Sequence, residues 1–214
     1  EAARLVHDLP VEGAREALGK LTEKAGAPEP LLRRALASRY RLGRPEDALA
    51  LASLAGRAGV ADSLRVEALE YLNHWAKPSG RDPVVGLWRP LPARDAEPAR
   101  VAIRTHLGAL LASPATVRSA AVQAATSLGI KDLAPALVEL ALEKSLGATA
   151  RVEALEALFS LDANRFETVR EKALADSEAK VRAKALGLAA RRDAQKTLPL
   201  LEKALASGTL LEKQ

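Results

Sequence analysis

The chain's three histidines, His7, His74 and His106, stand far apart, and no His-x-x-x-His spacing occurs. His7 is followed by Asp8, which is not a metal pair, so each histidine reads as an isolated surface residue. Two carboxylate pairs, Glu67 with Glu70 and Glu153 with Glu156, sit at i, i+3 on helical stretches. Without an apolar setting to desolvate them, they read as solvated helix faces rather than acid–base machinery. Cysteine is absent, which excludes thiolate nucleophiles, disulfides, Fe–S clusters and thiolate metal sites. It does not fix the compartment. No Gly-x-x-x-x-Gly-Lys phosphate loop, Gly-x-Gly-x-x-Gly turn or Gly-x-Ser-x-Gly nucleophile elbow is present. No catalytic residue, metal ligand or cofactor site is assigned. The residue types suited to recognition are two tryptophans, Trp75 and Trp88, with Arg81 and Arg89 beside them.

The elements that carry these residues are helical. Aromatics make up 3% of the chain, and alanine and leucine supply most of the 48% hydrophobic content, which argues against a β-sandwich or barrel. No apolar run approaches the ~20 residues of a membrane span, and no signal peptide is visible. Methionine is absent, so residue 1 is not an initiator, and the chain is expected to be a processed product or an excised piece. The net charge of +5 is spread evenly, with 17 basic and 14 acidic residues in 1–107, and 15 and 13 in 108–214. Arg33, Arg34, Arg39, Arg41 and Arg44 have no acid among them. On a helix they point several ways, so a slightly basic solvated surface is favoured over a nucleic-acid track.

An internal repeat organises the sequence. The motif apolar-Arg-x-x-Ala occurs at Leu64–Ala68, Val117–Ala121, Ala150–Ala154 and Val181–Ala185, with a degenerate copy at Leu31–Ala35. The anchor alanines 35, 68, 121, 154 and 185 are separated by 33, 53, 33 and 31 residues. One copy therefore carries about 20 extra residues. Val181, Ala185, Leu188 and Ala189 form one apolar helical face, as do Val117, Ala121, Ala124 and Leu128. Second helices are expected over 133–144, 166–174 and 198–206. Ser113, Asp62, Asp132 and Ser177 are cap candidates, and Pro135 and Pro199 each fall 14 residues after an anchor alanine. Paired helices at a period near 33 predict an all-α solenoid, an α-α superhelix of about six hairpins. Its spectrum should be helical with negligible strand.

The units read as 1–27, 28–60, 61–112, 113–145, 146–175 and 176–207, in a single array over 1–214. The third holds the insertion, 76–95. Neither end reads as a polar capping repeat, so the array is expected to be truncated at both ends. Repeat-equivalent Arg65, Arg118, Arg151 and Arg182 should stack as a ladder. Either they pair with carboxylates or helix C-termini of adjacent repeats, or they form an exposed rail for an acidic ligand.

The core of Val/Leu-Arg-x-x-Ala-(Leu/Val) resembles the HEAT family, over nearly the whole chain. The Trp, Gly and Tyr signature of tetratricopeptide repeats and the Thr-Pro-Leu-His of ankyrin repeats are missing. More narrowly, the run from Arg65 to Arg100 is similar to the HEAT segment of large planctomycete and verrucomicrobial proteins. These join a glucose/sorbosone-dehydrogenase-like β-propeller, HEAT repeats and a c-type cytochrome domain. That resemblance implies a connecting scaffold, exported or periplasmic, contacting protein or neighbouring domains of its own chain. No Cys-x-x-Cys-His haem motif or propeller strand is present, so neither haem nor dehydrogenase activity is carried onto any residue here. The His-Glu dipeptides of HEAT-like di-iron hydroxylases are also missing. An alternative is a nucleic-acid-binding protein resembling HEAT-like DNA glycosylases, with Trp75, Trp88 and Asp82 beside Arg81 and Arg89. Against it, those residues come from one proline-rich insertion, whereas a concave site draws on several repeats.

Five of twelve prolines and three of six aromatics lie in or beside the insertion. Prolines preclude regular helix there, and a connection of this length inside an array is usually functional or disordered. Val84, Val85, Leu87 and Trp88 need burial, which favours order. Two readings follow. As a lid, the insertion would bury Trp88 against repeats three and four. As a docking element, it would offer Trp88, Arg89, Trp75 and Arg81 to a partner. The lid is the expectation.

Overall fold

The five anchor alanines all lie in the core. Ala35, Ala68, Ala121, Ala154 and Ala185 are all buried, each in the middle of a helix where a larger side chain would hold the neighbours apart. The computed structural model describes residues 1–9 and 11–213. It is all-α, with 73% of the chain helical. The single β pairing among the described residues is an isolated bridge between Arg81 and Trp88. By internal contacts the chain divides into two compact units, Glu1–Leu128 and Gly129–Gln214. The repeat read as 113–145 is split between them.

The first unit contains α1 (Ala2–Asp8), α2 (Arg15–Lys20), α3 (Glu29–Leu42), α4 (Pro45–Gly56), α5 (Asp62–Asn73), α6 (Glu97–Leu111) and α7 (Ala115–Ser127). α3 packs on α4 and α5, α4 on α5 and α6, and α7 on α5 and α6. Packing of each helix on its next and next-but-one neighbours is the pattern of stacked hairpins. The short α1 and α2 close against α3. Leu36, Leu51, Leu54, Leu69, Leu72, Trp75 and Ile103 fill the core.

The second unit contains α8 (Ala134–Leu142), α9 (Ala148–Leu161), α10 (Ala163–Leu174), α11 (Ala179–Arg192), α12 (Ala194–Ser207) and the short α13 (Leu210–Lys213). α9 packs on α8, α10 and α11, and α11 on α10, α12 and α13. Its core is Ile130, Leu133, Leu137, Leu155, Leu158 and Phe166, with the Phe159 ring edge-on to Phe166.

Helix punctuation differs from the sequence expectation. Ser113 does not cap α7. Its hydroxyl is turned inward, accepting from Arg65 and donating to the Ala109 carbonyl, while Pro114 precedes the helix. Asp62 lies inside the first turn of α5, Asp132 in a 3-10 turn, and Ser177 offers its carbonyl to Arg182. Among the described residues, the N-cap residues whose own side chains accept the next helix's amides are instead Asp162 and Asp193, at the starts of α10 and α12. Each is the sole residue between two helices and stands eight positions after an anchor alanine, at 154 or 185. The same eighth position after Ala35 and Ala121 is Gly43 or Gly129, both with positive φ (72° and 69°). The chain thus reverses at one repeat position by two chemistries, a left-handed glycine or a carboxylate that receives the next helix's amides. Asp162 accepts from the Asn164 and Arg165 amides at 3.1 Å each. Asp162→Ala should therefore cost about 1 kcal/mol, read as a lowered urea midpoint. An unchanged midpoint would show that the cap contributes nothing. After Ala68 the eighth position is Ala76, where the insertion begins, so the extra residues are an enlarged turn between α5 and α6.

Candidate interaction site

The insertion is held by charged side chains rather than by its apolar ones. Between Gly80 and Arg89 the chain forms a small hairpin, closed by backbone bonds from Asp82 N–H to Leu87 O (2.9 Å) and from Arg89 N–H to Gly80 O (2.9 Å). Gly86 (φ 71°) makes the turn, which requires the left-handed region. The Asp82 carboxylate accepts the Val84 and Val85 amides at 3.0 and 3.1 Å, a local turn that aspartate favours.

That carboxylate is also the hairpin's anchor. Asp82 is buried and its Oδ1 lies 3.1 Å from Nε2 of buried His7 on α1, 75 residues away in sequence. Arg41 of α3 and Arg89 approach its Oδ2 at 3.7 and 3.8 Å. Burial alone pushes the Asp82 carboxyl up. Hydrogen bonds from His7 and the Val85 and Val84 amides outweigh that and hold it far below the usual carboxylate range. Arg89 donates to the His7 and Asp8 carbonyls (3.1 and 2.6 Å), satisfying the C-terminal end of α1. Arg41 donates to the Arg89 carbonyl.

The second foot is Arg94. Its guanidinium lies 3.7 Å from the Trp75 ring centroid and 4.7 Å from that of Tyr40. It donates to the Trp75 and Tyr40 carbonyls at 2.8 and 2.7 Å. Tyr40 in turn donates to the His74 carbonyl and stacks on Tyr71 with centroids 4.7 Å apart. Burial pushes the Tyr40 hydroxyl up to about 12, with Arg94 opposing. Arg94 passes so close to Gly43 that a β-carbon there would meet its Nη1 at 2.1 Å.

These anchors overturn the lid. Trp88 is 70% exposed and Leu87 53%, while Val84 and Val85 are half-buried. With both feet fixed by ionic and carbonyl contacts, the apolar tip does not need to turn inward. Of the four residues weighed for docking, Trp88 and Arg81 lie exposed on the hairpin. Trp75 is fully buried under Arg94, and Arg89 is drawn beneath the hairpin with its side chain 15% exposed. His7, expected at the surface, is buried. Glu67 is not a solvated carboxylate either. It accepts from Tyr71 and Arg33 at 2.9 Å each, and burial raises its pKa against those partners. His7, Arg41 and Arg94 were missed as site residues. Arg41 did lie in the acid-free arginine run, a signal that some of those charges met acids distant in sequence.

The arginine column is taken up by local contacts. Arg65 donates to the Ala55 carbonyl at the end of α4, to Asp62 and to Ser113. Arg118 donates to the Ser113 carbonyl. Arg151 and Asp176 form a buried pair, and Arg182 binds Glu212 and the Asp176 and Ser177 carbonyls.

The depressed Asp82 pKa carries a pH consequence. A carboxyl whose pKa is lower in the folded state contributes stability that is complete above its unfolded value, about 3.9, and lost as pH falls toward the folded value. Hairpin docking should therefore weaken below about pH 4. Rising proteolytic cleavage within 80–89 on acidification would report it, and Asp82→Asn should show the same cleavage at neutral pH. A cleavage rate that is flat with pH would refute the anchor.

Among the described residues, no group of three or more His, Asp or Glu could hold a metal ion, and no helix is long and apolar enough to cross a membrane. Comparison with protein-family models, curated proteins and solved structures finds no match.

Proposed function

We propose that the chain is a non-catalytic scaffold of HEAT-like helical repeats that binds protein through the tip of its proline-rich hairpin. The observation that carries this reading is an exposed tryptophan and leucine on a segment whose feet are buried and fixed. Exposed aromatics on a preorganised support lose little entropy on docking and recur as interface hot spots. The resemblance of 65–100 to exported dehydrogenase-like proteins supports a neighbouring domain of the same polypeptide as the partner. The glycosylase alternative is weakened by burial. Trp75 and Asp82 are enclosed, so they do not join Trp88 in one open site for a displaced base.

The test is photo-crosslinking from position 87, using benzoylphenylalanine in place of Leu87, in the organism's own cells. The expected result is a reproducible protein adduct of defined mass. It should be lost when Trp88→Ala is added, with the melting temperature unchanged. Absence of a protein adduct, or one that survives Trp88→Ala undiminished, would sink the proposal.

A further inference from the structure

The face of the hairpin that carries Trp88 also carries Arg81. The two are cross-strand partners in the isolated bridge, flanked on both sides by the ladder bonds 82–87 and 80–89. This is the non-hydrogen-bonded type of antiparallel pair, in which opposing side chains lie closest and share one face. The Trp88 ring is packed on Gly80, where an added β-carbon would meet its six-membered ring at 2.3–2.9 Å. One side of the indole is thus occupied by backbone, while the residue as a whole remains 70% exposed. Arg81 donates to the Gly86 carbonyl at 3.1 Å, which braces its guanidinium across the hairpin while leaving it in solvent.

The exposed charge on the hairpin itself has one sign. From 76 to 92 the exposed ionic side chains are Lys77 and Arg81. The only acid in that span, Asp82, is buried and already matched by His7, Arg41 and Arg89. Beneath the hairpin, burial pushes Arg41 down, Arg15 and Arg89 add to that, and Asp82 and Glu12 oppose it, so its charges are largely matched and the unmatched ones are those on the hairpin. Opposite charge on a partner is therefore favoured in both approach and register.

From this geometry we infer that the Trp88–Arg81 face binds an acidic peptide segment, with an apolar side chain laid on the indole and a carboxylate on Arg81. The inference rests on the reading of the hairpin as a protein-binding tip. A nucleic-acid strand fits less well. Such strands are held by several phosphate contacts along a groove and by successive stacking rings. Here the exposed cations number two, the ring is single, and Arg41 and Arg89 are committed, with side chains 15% exposed.

The experiment measures anisotropy of a labelled glutamate-rich peptide with one central phenylalanine, titrated with the whole chain at low salt. Its lysine counterpart and an oligothymidine run in parallel. The acidic peptide should bind saturably below millimolar concentration and weaken as salt rises. Trp88→Ala and Arg81→Glu should each reduce its affinity about tenfold or more, at unchanged melting temperature. No saturation by the acidic peptide, equal binding of the lysine peptide, tighter binding of oligothymidine, or binding indifferent to both substitutions would each overturn the inference. A Leu87 photo-adduct to a protein lacking any acidic segment would overturn it too, while leaving the scaffold reading intact.

Discussion

Replacing Trp75 by alanine should destabilise the chain by about 3–5 kcal/mol, the usual cost of truncating a fully buried large aromatic. The same change at Trp88 should stay within about 0.5 kcal/mol, as for other exposed positions. The two tryptophans are 13 residues apart in sequence, at the start of one turn and on the second strand of the hairpin that grows from it. Trp75 has no exposed surface and supports the Arg94 guanidinium on one face, with the Tyr40 ring inclined to it at 6.2 Å. Its loss leaves a cavity and unseats the second foot of the insertion together. Trp88 leaves only the backbone of Gly80 uncovered. Guanidinium unfolding of both variants against the parent chain measures this. Equal losses at the two positions would mean that Trp88 is packed after all.

Arg151→Ala should cost about 3 kcal/mol, because the buried Asp176 carboxylate loses its paired cation and keeps the Glu178 amide and the nearby Arg182. Arg118→Ala, at the equivalent place in another repeat, should cost under about 1 kcal/mol. The 118 side chain makes one long bond to a carbonyl, at 3.3 Å, and is half-exposed. The motif is the same, but the partner differs. The loop after α10 supplies an aspartate at 176 to Arg151, whereas Arg118 meets the Ser113 carbonyl ahead of its own helix. Thermal melts of the two single variants and of Asp176→Ala with Arg151→Ala settle the assignment. The double variant should be no less stable than Arg151→Ala alone, since removing both charges removes the carboxylate that lost its pair.

How far the sequence shows the fold depends on whether a property is repeated. The anchor alanines are visible because close helix approach is needed in every repeat and the same small residue meets it each time. The insertion is visible for the converse reason, as a break in that period. The expected interval 76–95 lies between the observed end of α5 at Asn73 and the start of α6 at Glu97. The direction of the hairpin was not visible. It is decided by the contact of Asp82 with His7, which joins residues 75 apart with no repeat to announce it. Counting apolar residues in the insertion suggested burial, but apolar content says nothing of whether charged anchors have already fixed the segment. The capping error has another origin. Of the four cap candidates, Ser113, Asp62 and Ser177 stand before first helices and Asp132 before a second, whereas Asp162 and Asp193 both precede second helices. Their common distance from the anchor alanines was a periodic signal that went unused.

The hairpin's two feet also determine how force would travel. A pull on Trp88 passes to Arg89 on its own strand and back over the turn to Asp82, and both residues are held by α1, a helix of seven residues, and by Arg41 of α3. Beyond Arg89 the chain meets a second stop at Arg94, gripped by Tyr40 and Trp75 at the ends of α3 and α5. Tension would therefore break the contacts to α1 and Arg41 first, releasing a short slack of chain, and then stall at the aromatic clamp while the main helices stay folded. The insertion is built less like a tether than like an arm with a breakaway joint.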